Sequence, residues 1–217
     1  MDRPALLAEH LDGRTEEILA LWRATVERHG DVPEAGKLSR SEFADHIPAL
    51  IDRLAERLRG RPADAGAEGA KHGHVRWRQG YDIAEVVNEL GHLRTTLRRA
   101  TFAYARENGF DLDVLEQALA AIHEGLDEAT AESVRQFQEE RLSELESARS
   151  EAQGRQAAVE EARAAADVER LKLHTLLDSL PVGVWVADAD GKIIGLNREA
   201  ERLQGFPTTR SAGNPWS

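Results

Sequence analysis

Apolar residues along most of this chain recur every three or four positions, the period of a helix with one buried face. Ile18, Leu21, Trp22, Val26 and His29 mark a helix over 16–29, and Gly30 suits its end. Asp31-Val32-Pro33 then predicts a loop. Ser39 and Glu42 have capping-box spacing, so a second helix should begin near Arg40, with Phe43, Ile47, Leu50, Ile51, Leu54 and Leu58 on one face. Pro48 lies inside that stripe, too late for a helix start, and predicts a kink or local break. Gly66, Gly69, Gly73 and Gly80 interrupt any pattern between Ala63 and Tyr81, leaving a short helix around His74 to Gln79. Asp82 and Glu85 cap a third long helix carrying Ile83, Val86, Val87, Leu90, Leu93, Leu97 and Tyr104, closed by Asn108-Gly109. Asp113 with Glu116 repeats the cap spacing before a fourth stripe of Leu115, Leu119, Ile122, Leu126 and Ala129.

The fourth helix meets no stop signal for a long way. From Val134 to Leu177 only Gly154 interrupts a helix-favouring run. With Leu142 and Leu145 as a and d, the later d positions are Ala152, Val159, Ala166 and Leu173, while the a positions are Arg149, Gln156, Arg163 and Arg170. One half of the seam is apolar and the other polar, which predicts a loosely held parallel coiled coil, with a solvated single helix as the alternative. Past it, two apolar runs flank Asp190-Gly191, a hairpin signal. Asn197 then precedes a short helix.

Composition narrows the function. A net charge of −11 argues against a general nucleic-acid binder. The absence of cysteine excludes disulfides, thiolate catalysis and cysteine-held metal or iron–sulfur centres. No run of about 18 apolar residues is present, and the start at Met1-Asp2-Arg3-Pro4 shows no secretory segment. A cytoplasmic protein is expected, with no membrane partner. No phosphate-binding glycine loop or nucleophile elbow occurs, and His123-Glu124 lacks the basic residue and proline that follow in a kinase phosphoacceptor box. This stretch is expected not to be catalytic.

Candidate ligand residues are His46, His72, His74, Arg76, Glu89 and Arg94. Zinc needs three or four ligands converging near about 2 Å. On a helical wheel His92 falls opposite its apolar stripe and His46 about a quarter turn off its own. No metal site is therefore predicted, with His72, His74 and His46 as the residues to watch; haem or zinc stays the minor alternative and no cofactor is expected. Arg94 lies about 50° from the centre of its helix's apolar face. It must snorkel, pair or bind an anion, and Glu89, Asp45 or Glu42 are its expected partners. With Arg76 and His72 it would bound a polar pocket, although a structural salt bridge is the simpler expectation. Arg94, Arg98, Arg99 and Arg106 form a basic flank expected to pair with acids of adjacent helices. His29, on the apolar face at a helix end, reads as structural. Trp22 and Trp77 read as core anchors or interface residues; Trp77 between Arg76 and Arg78 is too slight a motif for nucleic-acid stacking in an acidic chain.

Two segments carry a family resemblance: Leu38-Ser39-Arg40-Ser41-Glu42-Phe43-Ala44-Asp45-His46-Ile47-Pro48-Ala49-Leu50, and His72-Gly73-His74-Val75-Arg76-Trp77-Arg78-Gln79-Gly80-Tyr81-Asp82 running on to Glu85, Glu89, Leu93 and Arg94. Together they resemble the amino-terminal domain of the RsbRD stress-response co-antagonists, over roughly Leu6 to Phe137. That domain also stands at the front of bacterial sensor histidine kinases, often before PAS domains. The resemblance implies an all-helical, often dimeric input domain, globin-like in outline and haem-less, with no common ligand. From Leu173 the chain resembles the opening of a PAS domain: lead-in helix, strand, Asp-Gly turn, strand, Asn and short helix. A whole PAS domain is longer than the residues that remain, so an output module in cis is expected beyond Ser217.

The expected fold is mainly α: a helical bundle with a long signalling helix and an incomplete α/β PAS start. The expected division is 1–137 sensor, 138–175 coiled-coil linker and 176–217 PAS start. The expected function is the dimeric input region of a bacterial signal-transduction protein, a sensor histidine kinase, passing a signal through a coiled coil to the PAS and output domains; the alternatives are a ligand-free interaction or dimerisation module of a stressosome-like regulator, and a haem- or metal-binding sensor.

Overall fold

The computed structural model describes residues 3–204. The chain divides into two compact units, Met1–Glu146 and Ser147–Ser217. The expected PAS start extends to 217, so its last part, 205–217, lies outside the described residues.

The first unit is a bundle. It opens with a helix the periodicity did not bring out, α1 (Arg3–Gly13), which buries Leu7, Ala8 and Leu11 against the rest. Its hydrophobic face is short, but Leu7 and Leu11 are fully buried, each contributing roughly 1.5–3 kcal/mol. Helix α2 (Thr15–His29) ends as expected at Gly30, whose φ of 70° closes the helix. A 3₁₀ turn (Pro33–Lys37) follows. Ser39 and Glu42 form the capping box of α3 (Arg40–Ala44), which is only five residues long. The break expected near Pro48 falls at Asp45 and His46, and Pro48 becomes an ordinary first-turn residue of α4 (Ile47–Leu58). Asp45 carries a φ of 33°, the one positive φ at a non-glycine among the described residues.

The glycine-rich stretch is a full helix, α5 (Ala65–Arg78), not the short one expected from His74. Its glycines permit close approach. A Cβ on Gly69 would come within 2.1 Å of the Ala129 carbonyl oxygen, and one on Gly73 within 2.1 Å of the Ser133 carbonyl oxygen. The Ser133 hydroxyl donates to the Gly69 carbonyl at 2.6 Å. Gly80 stops the chain at φ 84°. Helix α6 (Ile83–Glu107) starts on the expected Asp82/Glu85 capping box. Helix α7 (Leu112–Ser179) starts one turn fragment earlier than expected: Asp111, not Asp113, accepts the Val114 amide at 2.9 Å. Its bundle portion buries Ala118, Ile122, Leu126, Ala129 and Phe137. Helix α1 packs on α4 and α6, α2 on α6 and α4, and α4 on α5.

Residues 141–173 of α7 contain no buried position, and Leu142, Leu145, Val159 and Leu173 of the heptad seam are exposed. Strands β1 (Trp185–Ala187) and β2 (Ile193–Leu196) pair antiparallel, Trp185 opposite Leu196, with a bulge after Val186. The Asp188 carboxylate accepts the Asp190 and Lys192 amides, and Gly191 takes φ 79°. Asn197 uses its whole side chain: Oδ1 accepts from Val184 and Ala200, and Nδ2 donates to the carbonyls of Leu177 and Val182. It thereby joins the end of α7, the hairpin and α8 (Arg198–Gln204).

The close approach predicts opposite outcomes for two glycines. Gly73→Ala drives a methyl into backbone and should cost about 1–3 kcal/mol of bundle stability. Gly91→Ala, mid-helix with open space around it, should gain about 0.5–1 kcal/mol. Urea unfolding of both variants checks the pair.

Candidate functional site

The polar centre of the bundle is Arg76, fully buried on α5. An arginine out of water is tolerable only when its N–H groups and its charge are all answered. Here five donor bonds are made. Nε and Nη2 grip the Glu89 carboxylate of α6 at 2.7 and 2.9 Å. Nη2 also donates to the Phe43 carbonyl at 2.6 Å, and Nη1 to the Glu42 carbonyl at 3.1 Å and Gln79 Oε1 at 2.7 Å. The two carbonyls are the free end of α3, which favours a cation. The rings of Tyr81 and Phe43 lie 5.1 and 5.7 Å from the guanidinium carbon, adding cation–π attraction. Trp22 of α2 completes the centre, donating from Nε1 to the Glu89 carbonyl at 2.9 Å and packing on Phe43 at 4.2 Å.

His72 lies one turn before Arg76 and is equally buried. Its Nε2 comes within 3.2 Å of Glu89 Oε2, close enough to act on that carboxylate, yet neither ring nitrogen makes a well-aligned hydrogen bond. Burial and the Arg76 charge hold the His72 pKa below the ordinary imidazole value. Burial opposes the Glu89 charge, but His72 and Arg76 outweigh it and keep that carboxyl below the usual range. Burial and Glu89 push the Tyr81 phenol up.

Of the six candidates, His72, Arg76 and Glu89 therefore meet. The other three do not join them. Arg94 pairs with Asp127 of α7 at the surface rather than with Glu89, Asp45 or Glu42, so the pocket it was expected to bound does not form around it. The reason is geometric: the wheel places Arg94 beside the stripe, and α7 passes close enough to draw it outward. His46 faces Asp45 at 3.4 Å, and His74 faces Glu140 of α7 at 2.6 Å, half exposed. The histidines to watch for metal thus each face a different carboxylate. Among the described residues no group of three or more His, Asp or Glu side chains is placed to hold a metal ion. His92 was expected in solvent; it is mostly covered, bound to Asp31 at 2.8 Å with its ring tilted against His29 at 4.4 Å. His29 in turn is exposed, its ring held by the Thr25 carbonyl. In the basic flank only Arg94 finds an acid among the described residues.

The chain thus combines a helical bundle that has a buried charged centre, a long helix running on from it, and an antiparallel hairpin. Residues 12–152 match the family model of the RsbT co-antagonist protein rsbRD N-terminal domain, and the chain belongs to that family. Residues 171–215 match the PAS fold. The pair identifies a signal-transduction sensor or regulator of the stressosome type. No curated protein and no solved structure matches the chain. No helix among the described residues is long and apolar enough to cross a membrane.

Removing one partner of the centre strands the other's charge. Arg76→Met should cost about 3–5 kcal/mol of unfolding free energy. Arg76→Met combined with Glu89→Gln should cost clearly less than the sum of the single variants, which a double-mutant cycle by chemical denaturation measures.

Proposed function

We propose that this chain is the cytoplasmic, dimeric input region of a bacterial signalling protein whose output module is a histidine kinase or a related domain. A change in the packing of the bundle passes along α7, paired in parallel with its copy, into the PAS unit. The supporting observation is the continuity of α7. One helix, Leu112–Ser179, contributes Ile122, Leu126 and Phe137 to the bundle core and ends shortly before β1. A helix exposed throughout 141–173 gains little from its own packing, and a partner helix on the Leu145, Ala152, Val159, Ala166 and Leu173 face would supply what is missing.

A second reading, a ligand-free interaction module, draws on a different feature. A concavity of about 330 Å³ along α2 and α6 has Ile18, Leu21, Ala24, Ala100 and Ala103 in its lining, among charged residues such as Arg14, Arg28 and Glu107. Leu21 in that lining is an exposed large apolar residue, the kind of surface a protein partner covers.

Native mass spectrometry should show a dimer. The chain has no cysteine of its own, so single cysteines report helix pairing cleanly. Ala152→Cys and Ala166→Cys on the seam should oxidise to linked dimers, while Ala157→Cys on the flank should not. A monomeric chain, or crosslinking without regard to the seam, sinks the parallel-helix mechanism. In the full-length protein, an oxidised seam crosslink that leaves output unchanged sinks the signalling route.

A further inference from the structure

We propose that His72 is a proton-binding site through which this region responds to pH, with the break between α3 and α4 as the part that moves. As a signal the proton rests on the sensory reading above; as a switch it stands on the geometry alone.

Two buried groups near the Arg76 centre lack what the rest of it has. Neither ring nitrogen of His72 makes an aligned hydrogen bond, and neither does Oδ2 of Asp45, a buried atom at the break that faces the titratable His46 Nε2 at 3.4 Å. Leaving such groups unanswered is costly. Asp45 is also the residue with φ 33°, a backbone conformation that side chains rarely adopt. Strain and unanswered polarity thus coincide at one short segment. That segment is held by Arg76, through the carbonyls of Glu42 and Phe43.

The charged neighbours of His72 come from three elements. Glu89 faces it from α6, 3.2 Å away. Asp45 acts on it from the break, and Arg76 from its own helix. Tyr81 closes the Glu89 side. Where α7 crosses α5, at Gly69 and Gly73, it presents Ala129 and Ser133, which do not ionise. With a neutral ring the set Arg76, Glu89 and Asp45 holds one positive and two negative charges. A proton on His72 balances it and supplies two N–H donors, one for Glu89 and one for the orphaned oxygen of Asp45. Taking up that second bond draws Asp45 and the ring together and re-sets the break.

The sign follows from linkage. Burial and Arg76 keep the ring neutral in the present packing, below its ordinary value of 6.5. That packing is therefore favoured above pH 6.5 and loses ground as pH falls towards the lowered value. For a single proton the ratio of the two packings changes by up to about tenfold per pH unit.

Two measurements decide it. Imidazole NMR follows each histidine through titration, with His72→Gln assigning the signal. Hydrogen exchange across residues 40–50, corrected for intrinsic rates, is read at pH 7.5 and 5.5 on wild type, His72→Gln and His46→Gln. The expected result is a His72 titration below the ordinary value and wild-type protection of 40–50 that changes several-fold with pH. His46→Gln, removing the more exposed neighbour at the break, should keep that response, and His72→Gln should lose it. A His72 signal that titrates at the ordinary value, or protection insensitive to pH in wild type, overturns the proposal, and so does a response that survives His72→Gln. If His72→Gln does not fold, through-bond NMR assignment identifies the His72 signal in wild type, and protection of 40–50 must change with the midpoint of that signal; a different midpoint overturns the proposal. A pH response in the bundle with no change in the output of the full-length protein leaves the switch standing and removes the sensory reading instead.

Discussion

The bundle is organised around a charge that has no access to water. Bringing Arg76 and Glu89 into the interior costs several kcal/mol per ion, and the attraction between them compensates only when geometry is close to ideal. That requirement fixes positions well beyond the pair. Arg76 makes five donor bonds to three elements: Glu89 on α6, the last carbonyls of α3, and Gln79 at the end of its own helix. A shift of about 1 Å in any of these would leave a buried donor unanswered, at a cost of roughly 1–3 kcal/mol. Apolar packing alone tolerates such shifts more readily, because hydrophobic attraction has no direction. The centre therefore sets the register of α3, α5 and α6 more than it adds to net stability.

The same face of α5 that carries the centre also carries the approach to α7. Gly69, His72, Gly73 and Arg76 are spaced by three, one and three residues, so they share one side of the helix. The glycines let the backbones of α5 and α7 meet, and the Ser133 hydroxyl ties them with a bond to the Gly69 carbonyl. Side chains at those positions would hold the helices apart and open the polar centre to water. The small residues are thus a condition for burying the large charged one.

Local signals were legible in the sequence and long-range ones less so. Capping boxes act within four residues, and both Ser39/Glu42 and Asp82/Glu85 form as their spacing indicates. The break around Pro48 follows from proline's missing N–H and is equally local. The start of α7 was misplaced by two residues because Asp111 and Asp113 both satisfy a cap pattern, and only the fold chooses between them. By propensity the glycines at 66, 69 and 73 break a helix, yet tertiary packing overrides propensity where two backbones must touch. His72, Arg76 and Glu89 stand among the sequence candidates, but their meeting in one buried centre does not follow from a stretch read as irregular. A short helix over 74–79 gives too little stripe to show that Arg76 faces inward, whereas Arg94 lies on a long helix with a clear apolar face. A spacing test would have found the face of Arg76: three glycines and an arginine at 66, 69, 73 and 76 fall on one helical face.

Close contact also determines how a disturbance travels. Gly69 and Gly73 leave no gap between α5 and α7 in which a movement of α5 could be absorbed, since the backbones already touch. Interiors packed at this density change by switching arrangement rather than by gradual compression. A rearrangement at the α3–α4 break reaches Arg76 through two carbonyls, and Arg76 sits on the helix that bears directly on α7 at Ala129 and Ser133. The residues that hold the charge and those that hold the exit helix are one turn apart on α5. Coupling between the centre and α7 therefore needs no extended pathway, only the stiffness of about two helical turns.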